Sequence, residues 1–504
     1  MGKASYSHLQ KTSSASRRIR DRLDFPVIDT DLHTVENPAV LEQYIEKHGN
    51  AKAVDQFREA LKRGQGSVLS NRWYEEDQSQ RIHNRTVRPP WWALPAENTL
   101  DLATVSLPRL LHERLQESGS DYAILYPNVA TLAPHIGHPE LRRIVARAVN
   151  HYNADLFRPY ADRLTPVAAI PLHTPEEGIE ELDYAINTLG LKVALIPGNV
   201  TRPIPDLAGK LSDDDYRKHS HRLTWIDTYG LDSAYDYDPF WAKAQELGVS
   251  LTTHSAGMGW TSRSSISNYT YNHIGHFADA SHALAKSLFL GGVTHRFPNL
   301  RFGFLEGGAA WGVALLADLV GHWEKRNGEA VRKYDPAKVD QSLLVELYNQ
   351  YGSNLTGGTG HSDAAAITGG ALGRAVNRLP QNNGELDDFA AAHIGSPADI
   401  AAKFLPNFYF GAEADDPSVA FAFNEQVNPE GARLNAFWAS DSGHWDVPDL
   451  TQVLAETWQQ VERGALSEKD FKDLVFGNPQ RFYSEKNPDF FKGTVIEQPF
   501  GKAA

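Results

Sequence analysis

The sequence predicts an α/β fold, a (β/α)8 TIM barrel with long inserted loops and an N-terminal tail. Eight short apolar runs, bounded by turn-forming residues, recur at 26–33, 122–127, 166–170, 192–197, 249–254, 300–306, 407–411 and 435–441. An unbroken apolar run of this length is what a parallel strand buried on both faces looks like. Helical patterns fall between the runs, and strands alternating with helices build a parallel barrel. A third observation is chemical. Asp31, His33, His254, Glu306 and Asp441 all sit at the C-terminal ends of their runs, the end at which this fold places its active sites.

The first run, Val27-Ile28-Asp29-Thr30-Asp31-Leu32-His33, carries an Asp and a His two residues apart. Side chains two apart on a strand point the same way, so Asp31 and His33 can close on one ion. Carboxylate oxygen and imidazole nitrogen together suit zinc, iron or manganese. A long insertion near 50–118 follows. Its segment 81–92 is basic and aromatic. Arg85 there is a candidate to grip a substrate carboxylate, and Trp91 and Trp92 are candidates to stack on a substrate; the plainer reading is a packed surface loop or a subunit contact. Helices are expected over 139–157 and 174–189, the latter opening with Thr-Pro-Glu-Glu, an N-terminal signal. His173 closes the third strand region and faces the same end. The fifth run ends at His254 and the sixth at Glu306. Between them His273, His276 and His282 crowd one segment, but their spacing does not put all three on one helical face; His276 is the candidate ligand. A second insertion runs near 329–406 and includes Gly357-Gly358-Thr359-Gly360-His361, which follows no convincing strand, so a nucleotide site is not expected. The last run ends at Asp441, with His444 three residues on. The expected organisation is a tail over 1–24, the barrel over 25–485 and a C-terminal tail over 486–504.

Composition narrows the chemistry. The 504 residues are 41% hydrophobic and 22% charged, as in a globular protein. There is no cysteine, so disulfides and thiolate metal sites are excluded and any metal must be held by His, Asp and Glu. A formal charge of -14 argues against a nucleic-acid partner. No run approaches the roughly 20 apolar residues of a membrane span. The first residues are polar and lack the apolar core of a secretory signal, so a cytoplasmic protein is expected.

The segments VIDTDLH, TPVAAIPLHTPEEGIEELDYAINTLG, LTTH, GGVTHRFPNLRFGFLEGGAAW and FWASDSGHWDVPD together resemble the amidohydrolase superfamily. They resemble specifically its amidohydrolase-2 branch, which includes aminocarboxymuconate-semialdehyde decarboxylase and resorcylate-type decarboxylases. The resemblance implies that Asp31 and His33 are the first-strand metal pair, His254 the fifth-strand ligand and Asp441 the eighth-strand carboxylate. The chain departs from the branch at Glu306, where its decarboxylases usually carry a His. A Glu there can act as a base, ligate a second metal, or orient His33 or His254. Lys192 lies at the start of its strand, which disfavours it as a metal-bridging lysine. A second metal, if one is held, would need Glu306 with His276 or His444.

The expected function is a metal-dependent hydrolase or decarboxylase-like C–C lyase acting on a small carboxylated or carbonyl substrate. Asp31, His33, His254 and Asp441 would hold a divalent ion, zinc or manganese, with Glu306 and His276 as further candidate ligands. Asp441 or Glu306 would move the proton, and Arg85, Trp91, Trp92, His173 and His444 would line the substrate. The alternative is a non-haem dinuclear iron or manganese oxygenase, since three carboxylates suit harder, redox-active metals. A third reading, a non-catalytic barrel, is disfavoured by an apparently complete ligand set. A homo-oligomer, or pairing with a paralogous subunit, is expected by resemblance.

Overall fold

The structure, a computed structural model, describes residues 13–63, 72–89, 98–207, 210, 212, 223–254, 264–335, 338–356 and 387–497. Its strands are β1 (Ile28–Thr34), β2 (Tyr122–Pro127), β3 (Leu164–Pro166), β4 (Ala168–Ala169), β5 (Val193–Ile196), β6 (Val200–Pro203), β7 (Thr224–Asp227), β8 (Ser250–Thr253), β9 (Phe302–Phe304), β10 (Phe408–Glu413) and β11 (Asn435–Ala439). All of the expected runs form strands. The third is broken into β3 and β4, and the seventh extends two residues further than expected, to Glu413. The antiparallel hairpin of β6 and β7 is additional. Its strands are half-exposed and polar, so they lack the buried apolar run that marks the others.

The remaining strands pair only in parallel, in two sheets ordered β1-β2-β3 and β11-β10-β9-β8-β5-β4. Backbone hydrogen bonds connect the two sheets at both margins. Around the break, the Val167 N–H donates to the Leu125 carbonyl at 3.0 Å and the Ile170 N–H to Leu195 at 2.9 Å. At the other margin, the Asp441 N–H donates to the Asp31 carbonyl at 3.0 Å and the His33 N–H to Ser442 at 2.9 Å.

Alternation along the strands separates two apolar layers, as a period of two requires. Ala194, Ile196, Phe408, Phe410, Ala436 and Trp438 pack with residues of the surrounding helices. Their neighbours Val193, Leu195, Tyr409 and Phe437 pack instead with Ile28, Tyr122, Tyr126 and the C-terminal aromatics Phe482, Tyr483, Phe490 and Phe491. Burying each such side chain contributes about 1.5–3 kcal/mol. The helices begin where capping chemistry allows. Pro175–Asn187 starts after Thr174, whose hydroxyl accepts from the Glu177 N–H, and Pro139–Phe157 starts after His138, whose ring accepts from the Leu141 N–H.

Parts of both expected tails are packed on the body. Ala15–Arg20 forms a helix whose Ser16 hydroxyl accepts from the Leu454 N–H at 3.0 Å. Past residue 486, Phe490, Phe491 and Ile496 are buried. Apolar side chains at these positions are what tie the ends down. No helix among the described residues is long and apolar enough to cross a membrane.

Candidate metal centre

β1 is irregular between Asp29 and Leu32. Asp29, fully buried, accepts from the Ser440 N–H at 3.0 Å and from the Asp31 N–H at 3.3 Å. One carboxylate thereby ties the end of β1 to the end of β11. Asp31 and His33 point the same way, as their spacing predicts, with His33 Nε2 3.3 Å from Asp31 Oδ1. His254, just past β8, places its Nε2 3.1 Å from His33 Nε2, 3.6 Å from Asp31 Oδ2 and 2.8 Å from Glu306 Oε2. Asp441 Oδ1 lies 3.4 Å from His33 Nε2 and 2.7 Å from His444 Nδ1.

Two of these residues sit on left-handed backbone, Glu306 at φ 56° and Asp441 at φ 51°. That conformation is unfavourable for a residue with a Cβ and clusters at functional sites. It turns each carboxylate out of its strand direction.

The donor atoms form two groups. Asp31, His33 and His254 make one; His33, Glu306, Asp441 and His444 make the other, and within each group all ligand atoms lie within 4.8 Å of one another. Every one of these residues is buried. Both oxygens of Asp31, Oε2 of Glu306 and Oδ1 of Asp441 accept no hydrogen bond, a costly state for a buried carboxylate. Burial pushes the carboxyls of Asp31, Glu306 and Asp441 well above the usual range. Repulsion from Asp29 and Glu413 adds to this at Asp31, from Glu413 and Asp31 at Glu306, and from Glu306 and Glu413 at Asp441. Burial also holds the imidazoles of His33 and His444 well below their ordinary value, and His254 at about 4. Neutral imidazoles beside crowded carboxylate oxygens that accept no hydrogen bond suit a divalent cation, and a cation would relieve the repulsion. The residues present therefore fit a divalent metal.

The expected site residues divide. Asp31, His33, His254, Glu306 and Asp441 converge. His444, expected to line the substrate or to help Glu306 hold a second metal, falls within the second donor group. His276, expected as a further ligand, belongs to neither group. It opens the helix His276–Leu290 with its ring 4.0 Å from that of Phe277, which lies edge-on to His254 at 5.0 Å. His173 sits outside both groups, with Nδ1 3.7 Å from Glu177 Oε1 and burial pushing its ring down to about 2. Arg85 is exposed at the left-handed end of the helix Gln78–Asn84. Trp91 and Trp92 lie outside the described residues. Lys192 directly precedes β5, at the strand end opposite the ligands, and donates to the Phe490 carbonyl at 2.6 Å.

Two further buried carboxylates at the strand ends escaped the sequence reading. Asp29 shares the strand face of Asp31, so its spacing was the available signal. Glu413 ends β10 and is pushed up to about 8 by burial and by Asp446, Asp415 and Asp416; extending the seventh strand by two residues would have found it.

Residues 112–355 match the amidohydrolase family model. No curated protein matches the chain. Among solved structures, an amidohydrolase from Mycobacterium avium subsp. paratuberculosis K-10 is similar at 15% identity and TM-score 0.51, covering 92% of this chain and 100% of that one. A dihydroxybenzoic acid decarboxylase from Polaromonas sp. JS666, with bound manganese, aligns at 15% identity and TM-score 0.45 over 92% and 99% of the two chains. A 2,6-dihydroxybenzoate decarboxylase from Rhizobium aligns at 14% identity and TM-score 0.46 over 92% and 100%. At these identities the likeness concerns the fold. Residues 112–355 match the amidohydrolase family, and the strand-end motifs place the chain's resemblance in the amidohydrolase-2 branch.

Proposed function

We propose that the chain is a metal-dependent hydrolase or decarboxylase-type C–C lyase, built on a closed (β/α)8 barrel and acting on a small carboxylated or carbonyl substrate. Backbone hydrogen bonds at both sheet margins support closure. The observation that carries the functional reading is the convergence of Asp31, His33, His254 and Asp441 at the strand ends, with buried carboxylate oxygens that no hydrogen bond engages.

A divalent ion held there supplies electrophilic polarisation of a substrate oxygen and acidifies water. Asp31, His33 and His254 hold and orient it. Asp441 also moves the proton; burial and the neighbouring Glu306 and Glu413 hold its carboxyl above the usual carboxylate range, which favours its taking up a proton. Manganese suits this mixed carboxylate and imidazole donor set. The manganese-bound decarboxylase named above is in keeping with that choice. None of the solved relatives named above is described as an oxygenase, and the oxygen-using alternative has no support from them.

The test is turnover by manganese-loaded protein on a panel of small aromatic carboxylic acids, followed as carbon dioxide release, and of small amides. Asp441→Ala is expected to lower the rate at least a thousandfold while leaving the circular dichroism spectrum unchanged, because removing a proton-transfer group that also binds the ion loses both effects. Turnover that survives in Asp441→Ala, or in chelated wild-type protein, overturns the reading.

A further inference from the structure

We infer that Asn199 and His173 form a second polar subsite beside the metal centre, which takes an anionic oxygen group of the substrate distinct from the group that meets the ion. The inference rests on the metal-dependent reading above and concerns the class of substrate, a small acid with a second carboxylate.

Strand register brings the two residues together. Ala169 of β4 lies opposite Leu195 of β5, and His173 and Asn199 each follow that pair by four residues. They therefore leave neighbouring strands at the same level. β5 in turn pairs with β8, where Ile196 lies opposite Thr253, the residue before His254. The subsite is thus at the same strand ends as the centre. It lies on the flank away from Asp441, since β8, β9 and β10 separate β5 from β11.

The backbone there is held by bonds that leave the two side chains unused. Arg202 Nη2 donates to the His173 carbonyl at 3.0 Å, Tyr237 Oη to the Leu172 carbonyl at 2.9 Å and Tyr229 Oη to the Pro197 carbonyl at 2.9 Å. Asn199 is only 7% exposed, yet its Nδ2 has no acceptor. His173 Nδ1 is likewise shielded from water and unpartnered, its 3.7 Å to Glu177 Oε1 being beyond hydrogen-bond reach. A neutral imidazole carries its proton on either nitrogen, so Nδ1 can donate. Two buried donors left unpaired on a fixed backbone are a costly state, which an acceptor on a ligand relieves.

Charge selects an anion. Glu177 meets Arg142 Nη2 at 3.0 Å and Arg143 Nε at 3.6 Å, and Asp227 meets Arg202 Nε at 2.5 Å. Three guanidiniums thus face two carboxylates, leaving one positive charge in excess. Across the barrel ends the balance is reversed, because Glu413 at the end of β10 has Asp446, Asp415 and Asp416 for neighbours. This polarity draws a free carboxylate of the substrate toward β4 and β5 while its other end meets the ion.

The test is titration calorimetry on manganese-loaded protein with acids of matched chain length, butyrate against succinate, pentanoate against glutarate and hexanoate against adipate. The flexible chains scan the separation between ion and subsite. At least one diacid is expected to bind about tenfold or more tighter than its monoacid. Asn199→Leu removes the donor at similar size and should reduce that ratio to about twofold or less. Asn199→Asp keeps the shape but adds a negative charge, and should bring the ratio to one or below while manganese per chain stays at the wild-type value. Diacids that bind no tighter than monoacids in the wild-type chain, or an advantage that survives Asn199→Asp, overturn the inference and leave the proposed function standing. A wild-type chain that retains no manganese overturns the metal-dependent reading and this inference with it.

Discussion

Glu306 and Asp441 each reach the site on left-handed backbone, which costs on the order of 1–3 kcal/mol for a residue with a Cβ. The surrounding contacts hold them there. Asp441 donates its N–H to Asp31, and the glycines after Glu306 let the chain turn away at once. Other buried carboxylates do structural work nearby. Glu36 accepts from the Val129 N–H at 2.6 Å and the Ala130 N–H at 3.3 Å, capping a short helix. Burial raises its carboxyl from 4.5 to about 7 despite those hydrogen bonds. A raised folded value means the native state binds the proton more tightly than the unfolded chain. Stability from this group is therefore present at pH 4.5 and declines as pH rises through about 7. The loss is at most about 3 kcal/mol. In Glu36→Gln, whose amide oxygen still accepts, urea unfolding of the metal-loaded protein at pH 5 and pH 8 should show a smaller difference between the two pH values than wild type. An identical difference would show that Glu36 does not titrate in this interval.

At the scale of elements, the junction of β1 with the loop after β11 decides the geometry of the centre. The irregularity in β1, the Asp29 bonds to Ser440 and Asp31, and the His33–Ser442 bond all lie within it. Gly443 makes the approach possible. It sits at φ 111°, and a Cβ there would fall 2.5 Å from the His33 carbonyl oxygen. Gly443→Ala must therefore push the loop away from β1, at a cost on the order of 2 kcal/mol or more. The expected outcome is a lower denaturation midpoint and weaker manganese binding in titration calorimetry, since His33, Asp441 and His444 all flank that contact. Wild-type affinity would show that the loop moves without disturbing the ligands. The strands themselves were legible, 122–127 to the residue, because each is buried on both faces. β6 and β7 were not legible, because half-exposed polar strands carry no such run. Glu413 was missed for a related reason: a strand's last residue is often the first polar one, and an apolar pattern stops short of it.

At the scale of the molecule, strand ends separated by hundreds of residues meet at one point, so an ion held there would act as a cross-link of the fold. A ligand that binds only the native state stabilises it by about 2.7 kcal/mol at a hundredfold excess over its dissociation constant. Chelation of the wild-type protein is expected to lower the urea midpoint, and manganese to restore it. Asp31→Ala should start lower and respond to neither. A midpoint indifferent to chelator in the wild-type protein would mean that the centre contributes nothing to stability. The packed termini belong to this scale as well: residues 13–24 and 486–497 close over the body through Ser16, Phe490 and Phe491, where the sequence alone suggested tails.

The sequence by itself determined the strand order, the residue types at the strand ends and the restriction of any metal to His, Asp and Glu. These depend on local pattern: burial on both faces writes an apolar run, and alternation fixes which residues share a face. Tertiary structure decided which histidines join the carboxylates. His444 enters the ligand group and His276 does not, although the sequence offered both as candidates to hold a second metal. The reason is that a loop residue's direction is set by contacts across the fold, such as that of Gly443 with His33 and that of Phe277 with His254, and no local periodicity encodes them.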